Sequence, residues 1–165
     1  KMENCLQNLF TESEWELLCD HCGICCFYKI EDEDTSEIFY TEVVCPYLNL
    51  ESGLCEVYPD RFQKMSTCIK ISPDNIQEIH NWLPRHCAYR CLYEKRSIPC
   101  WHPLYQNPDK HSELIRKIES VIKFPFNDGL SQKEIQKIKQ NAIRANYSID
   151  FEEQLIHHLI KDSEI

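Results

Sequence analysis

Apolar positions recur at helical spacing along the last third of the chain. Leu114, Ile115, Ile118, Val121 and Ile122 make one stripe, and Phe151, Leu155, Ile156, Leu159 and Ile160 make another; both have the three- and four-residue intervals of an amphipathic helix. Between them, Ser131-Gln132-Lys133-Glu134 has the form of a capping box ahead of Ile135, Ile138 and Ile143. Thr11-Glu12-Ser13-Glu14 is a similar box, opening a short helix that buries Trp15 and Leu18. Ser72-Pro73-Asp74 predicts a helix start that Trp82-Leu83-Pro84 cuts short, and a further helix is expected from Arg85 to Lys95. The pattern changes between Phe27 and Val44. Two aromatic and β-branched runs, Phe27–Ile30 and Glu37–Val44, flank Glu31-Asp32-Glu33-Asp34 and read as a hairpin with a solvated acidic turn. That turn lacks the ligand spacing and glycine of a calcium loop. Gly53 marks a turn, as does Phe124-Pro125-Phe126-Asn127-Asp128-Gly129.

Cysteine usage changes this picture more than any element does. The chain has 165 residues and 11 Cys, far above ordinary usage, so packing does not account for them. Four fall in Cys19-Asp20-His21-Cys22-Gly23-Ile24-Cys25-Cys26. The Cys19-x-x-Cys22-x-x-Cys25 spacing lets successive sulfurs curl round one centre, and Gly23 gives the turn its freedom. Adjacent Cys25 and Cys26 are expected to diverge, so that one of them bridges to, or belongs to, a second centre. Cys45, Cys55 and Cys68 suit single ligands on loops folding back over the motif. Cys91 and Cys100 read as packing residues or bystanders. An odd thiol count does not pair completely within the chain, and no apolar leader or membrane-length run is visible. The expected compartment is therefore the reducing cytoplasm, where metal binding is favoured over disulfides.

The formal net charge of −9 argues against a nucleic-acid grip, and no basic amphipathic or lipidation signal indicates a membrane. No phosphate loop, nucleophile elbow or zinc-protease pattern is present, so no catalytic residue is assigned. A nucleophilic Cys/His pair is disfavoured because ligation quenches thiolate reactivity. His21, His86 and His102 read as surface or packing residues, and His157-His158 as no inward pair. Thiolate softness excludes magnesium and calcium and leaves zinc or an iron–sulfur cluster, with copper(I) a minor candidate.

The residues also resemble the YcgN-like bacterial cysteine-cluster family. The resemblance runs over residues 14–104 on Glu14-Trp15-Glu16, the Cys19-x-x-Cys22-Gly23-x-Cys25-Cys26 run, Asp32-Glu33-Asp34-Thr35 and Glu37-Ile38. It continues through Cys45, Cys55 with Tyr58, Arg61 and Phe62, Cys68-Ile69-Lys70, Trp82-Leu83-Pro84, Cys87-Ala88-Tyr89-Arg90 and Trp101-His102-Pro103-Leu104. It implies a zinc- or iron-chelating domain whose shared thiols are Cys19, Cys22, Cys25, Cys26, Cys45, Cys55, Cys68 and Cys87, with Cys5, Cys91 and Cys100 peculiar to this chain. A similar run in flagellin lysine methylases keeps a protein-modifying role in view. The expectation is an α+β fold: a cysteine-rich, metal-organised domain over residues 11–104, behind a lead-in at 1–10, with a helical extension at 105–165 packing on it. The function expected is metal binding, the alternative an iron–sulfur electron-transfer protein or an accessory to a protein-modifying enzyme.

Overall fold

The computed structural model describes residues 6–160 and 165. In chain order the elements are α1 (Glu12–Leu17), β1 (Phe27–Glu31), β2 (Ile38–Val44), α2 (Arg61–Lys64), α3 (Ile76–Ile79), α4 (Ala88–Tyr93), α5 (Ser112–Val121), α6 (Gln132–Gln140), β3 (Ile143–Arg144) and α7 (Phe151–His157). The class is α+β. Contacts divide the chain into two compact units, each assembled from separated stretches: residues 1–20 with 70–130, and residues 21–69 with 131–165.

The first unit is helical. Thr11 accepts from the backbone N–H of Glu14 while Glu14 accepts from that of Thr11, so the expected box opens α1. Trp15 and Leu18 are buried with Leu6, Ile76, Leu83, Tyr89, Leu92, Leu104, Leu114 and Ile118 in one core. Trp15 Nε1 donates to the Ile71 carbonyl at 2.9 Å and Tyr89 Oη donates to the Trp15 carbonyl at 2.8 Å, which lets both rings be buried without orphaning their polar tips. The helix expected to start at Ser72 starts later, at Ile76. Ser72 and Asn75 exchange two side-chain-to-backbone bonds and the Ser72 carbonyl accepts from the Ile76 N–H at 3.1 Å, so Ser72 caps a single turn ahead of the helix. The Arg85–Lys95 helix shrinks to α4, with Cys87 just outside it in extended geometry at φ −58° and ψ 126°.

The second unit is built on a three-stranded sheet in the order β1-β2-β3. β1 and β2 are the predicted antiparallel hairpin, in register Phe27 to Val44 and Glu31 to Ile38. Asp32 Oδ1 accepts from the N–H groups of Asp34 and Thr35 at the tip, so this carboxylate closes the turn. The capping box at Ser131 and Glu134 opens α6 as expected. Ile143, expected to extend the α6 stripe, instead leaves the helix: β3 pairs in parallel with β2 through Val43 to Ile143 and Val44 to Arg144. Behind it α7 buries Leu155, leaving Ile156 exposed. Val43, Val44, Phe27, Ile24 and Leu48 are fully buried around the hairpin base. Among the described residues no helix is long and apolar enough to cross a membrane.

Candidate metal centre

The hairpin base determines where the thiols go. Gly23 takes φ +78°, a conformation costly for a residue with a Cβ, and Ile24–Cys26 then form a tight turn closed by the Cys26 N–H on the Gly23 carbonyl at 3.0 Å. β1 begins immediately afterwards. Across the base, the Cys45 N–H donates to the Cys26 carbonyl at 2.9 Å, which ties the end of β2 to the motif. The following loop doubles back, with Leu48 bridged to Cys55 and the Gly53 N–H on the Asn49 carbonyl. Gly53 has φ +73° and lies so close to the motif that a Cβ would come 1.6 Å from the His21 carbonyl oxygen. Cys68 follows α2, its N–H on the Met65 carbonyl.

These turns collect Cys22, Cys25, Cys26, Cys45, Cys55 and Cys68 in the second unit, where their thiols act electrostatically on one another or on a shared lysine. A hydrogen bond with Cys25 and burial push the Cys26 thiol far above its usual range, and Cys25, Cys45 and Cys68 add to it as charges. Burial raises Cys45 and Cys68 as well, with Cys55 adding to both, while Arg144 opposes the shift at Cys45 and Arg61 opposes it at Cys68. Such a set resists full deprotonation by itself; a thiophilic cation would supply the missing positive charge. Cys25 and Cys26 do not diverge as expected. The tight turn brings their side chains into a hydrogen bond and into the same group of thiols.

Cys19 and Cys87 belong to the first unit, half-buried against its core. Cys91 is fully buried there, donating to the Arg85 carbonyl at 3.2 Å and accepting from Asn127 Nδ2 at 3.3 Å, and burial pushes its thiol up to about 11. It is a packing cysteine. Cys100 is exposed, and Cys5 lies outside the described residues. None of the ten described cysteines is in a disulfide. His86 and His102 have no exposed surface, and neither ring nitrogen of His86 has a hydrogen-bond partner. His102 Nε2 donates to the Leu18 carbonyl at 2.8 Å and Nδ1 accepts from the Leu104 N–H at 3.2 Å, which leaves neither nitrogen for a metal. His86 Nε2 lies 3.4 Å from Asp20 Oδ2. His21 is exposed. On α7 His157 is exposed and His158 Nδ1 lies 3.9 Å from Glu42.

Of three cations at the cluster, Arg61 is among the residues of the resemblance, while Lys29 and Arg144 are not. Lys29 sits on β1 with its ammonium turned back to the motif, Arg61 opens α2, and Arg144 lies in β3. For Lys29 the sequence signal is a lysine inside an otherwise apolar run.

Residues 18–88 match a family model, CxxCxxCC, described as a "Putative zinc- or iron-chelating domain". A UPF0260 protein of Vibrio atlanticus is 52% identical over 111 residues, covering 67% of this chain and 74% of the relative. This chain belongs to the UPF0260 family. Another UPF0260 protein, from Vibrio vulnificus, is 53% identical over 94 residues, and the chain spans 64% of that relative's length. A third, from Marinobacter nauticus, is 49% identical over 94 residues, which is 57% of this chain and 63% of the relative. No solved structure matches the chain. The span matched by the family model takes in Cys19 through Cys87 and leaves out Cys5, Cys91 and Cys100.

Proposed function

We propose that this UPF0260 protein is a metal-binding protein whose centre is held by the thiolates of Cys22, Cys25, Cys26, Cys45, Cys55 and Cys68. One observation carries the reading: six thiols from four stretches of the chain interact with one another, or in the case of Cys22 with the shared Lys29, in one group. Soft, anionic, convergent donors select zinc, iron–sulfur or similar thiophilic centres over hard cations. A metal there would be structural first, because its binding free energy is folding free energy for the loops that carry the ligands. The cysteines of the other unit, Cys19 and Cys87, complete the expected set of eight; substitution decides their part.

A closed zinc site uses four ligands, so a six-thiol group also favours a second reading: a polynuclear centre, iron–sulfur included, with an electron-transfer role. Anaerobic purification, a visible spectrum and zinc and iron content per chain distinguish the two. Stoichiometric zinc without visible absorption supports a structural zinc centre; iron with broad absorption supports the cluster. A chain holding neither metal overturns the proposal. Cys26→Ser and Cys45→Ser are expected to lose metal, and equal loss in Cys19→Ser or Cys87→Ser extends the ligand list to that residue.

A further inference from the structure

The protein carries 27 acidic against 18 basic residues, yet three of its cations are anchored on the stretches that carry the thiols. Lys29 Nζ donates to the Cys25 carbonyl at 3.2 Å and the Phe27 carbonyl at 2.8 Å, straddling Cys26, and lies 5.0 Å above the Tyr40 ring. Arg144 Nη1 donates to the Pro46 carbonyl at 2.7 Å and the Leu48 carbonyl at 3.0 Å, just beyond Cys45. Arg61 Nη1 donates to the Tyr58 carbonyl at 2.8 Å, and its guanidinium stacks on the Tyr58 and Phe62 rings at 3.8 and 4.5 Å. Among the described residues none of the three is in an ion pair with a carboxylate. Each is instead held by backbone carbonyls or aromatic faces on the loops that carry the cysteines. Such anchoring keeps a cation in place without neutralising it.

The electrostatics run the same way. Burial lowers the Lys29 pKa while Cys25, Cys26 and Cys22 oppose that shift, and Arg144 and Arg61 oppose the upward shifts of Cys45 and Cys68. Four thiolates on one divalent ion already carry net negative charge, and further thiolates add to it, so a partly buried centre of this kind needs nearby positive charge to persist.

We propose that Lys29, Arg61 and Arg144 form a cationic shell of positioning residues around the thiolate centre, and that this shell sets how tightly the centre holds its metal. The inference rests on the metal-binding reading above and adds to it residues that are not themselves ligands. The shell draws on three segments: Lys29 at the motif, Arg144 at the loop after β2, and Arg61 at α2. A neutral glutamine keeps an N–H donor for the carbonyls while removing the charge, which separates the two roles of each side chain.

The test uses the full chain, stripped and reloaded with zinc(II) alone against a chromophoric chelator. Lys29→Gln, Arg61→Gln and Arg144→Gln are compared with Lys29→Arg, Arg61→Lys and Arg144→Lys, and circular dichroism is recorded on every sample. The expected result is unchanged zinc per chain at saturation, affinity lowered about 10-fold or more in each glutamine variant, and recovery in the charged variants. Wild-type affinity in the folded glutamine variants overturns the shell while leaving the metal reading intact. Loss of affinity in the charged variants equal to that in the glutamine variants also overturns it, since charge would then not be the cause. Failure of the wild-type chain to bind zinc or iron overturns both readings together.

Discussion

His102 and Glu94 show what single side chains contribute to the first unit. His102 is enclosed, with both ring nitrogens satisfied by backbone groups, its Nε2 donating to Leu18 and its Nδ1 accepting from Leu104. His102→Ala would leave a buried carbonyl and a buried N–H unpaired, and a loss of about 3 kcal/mol in chemical denaturation is expected, with metal content unchanged. Glu94 lies within 3.2 Å of His80, 2.9 Å of Arg90 and 2.8 Å of Arg96. Burial pushes its carboxyl pKa up, but Arg90 and Arg96 outweigh burial and hold it below its ordinary 4.5. A depressed folded-state pKa contributes stability that is fully present above 4.5 and is lost as pH falls through the lower, folded value. Glu94→Gln is therefore expected to cost about 1–2 kcal/mol at neutral pH, and the gap between variant and wild type should close in urea titrations carried below pH 4.5.

At the scale of elements, the two capping boxes and Gly53 act in opposite ways. Ser131 and Glu134 satisfy each other's backbone N–H groups at the start of α6, and Ser131→Ala is expected to lower stability by about 1 kcal/mol, read as a lower thermal midpoint. The box was readable from four consecutive residues because the bonds it makes stay within them. Gly53 is different: the turn at Asn49–Gly53 presses on the His21 carbonyl, 32 residues earlier, with no room for a Cβ. Gly53→Ala is expected to cost about 3 kcal/mol and to reduce metal content, because it pushes the Cys55 loop off the turn that carries Cys22. A glycine in a turn could be read from the chain; the atom it approaches could not.

For the molecule as a whole, the division into two units makes metal removal a selective perturbation. The first unit has its own apolar core, from Leu6 to Val121. The second carries Cys55 and Cys68 on a stretch with little else to hold it, since residues 54–70 are mostly exposed, including Leu54, Tyr58, Phe62 and Ile69. Chelation is therefore expected to lower the thermal transition of the second unit and to open residues 54–70 to limited proteolysis, with the first unit's transition unchanged. A single transition moving as one on metal removal would contradict this.

Local physics accounts for what could be read from residue order alone: α1 and α6 from capping boxes four residues wide, β1 and β2 from aromatic and β-branched runs across an acidic turn, and the expectation of metal chemistry from thiols packed into eight residues. Each rests on interactions between near neighbours, which short-range spacing encodes. What the tertiary structure decided depends on distant partners. Ile143 could continue a helix or pair with Val43, and only the buried sheet beside it selects the strand. Arg144 reaches the carbonyls of Pro46 and Leu48 from 98 and 96 residues away. No local periodicity carries such pairings, because they arise only when the separated stretches bury surface against each other.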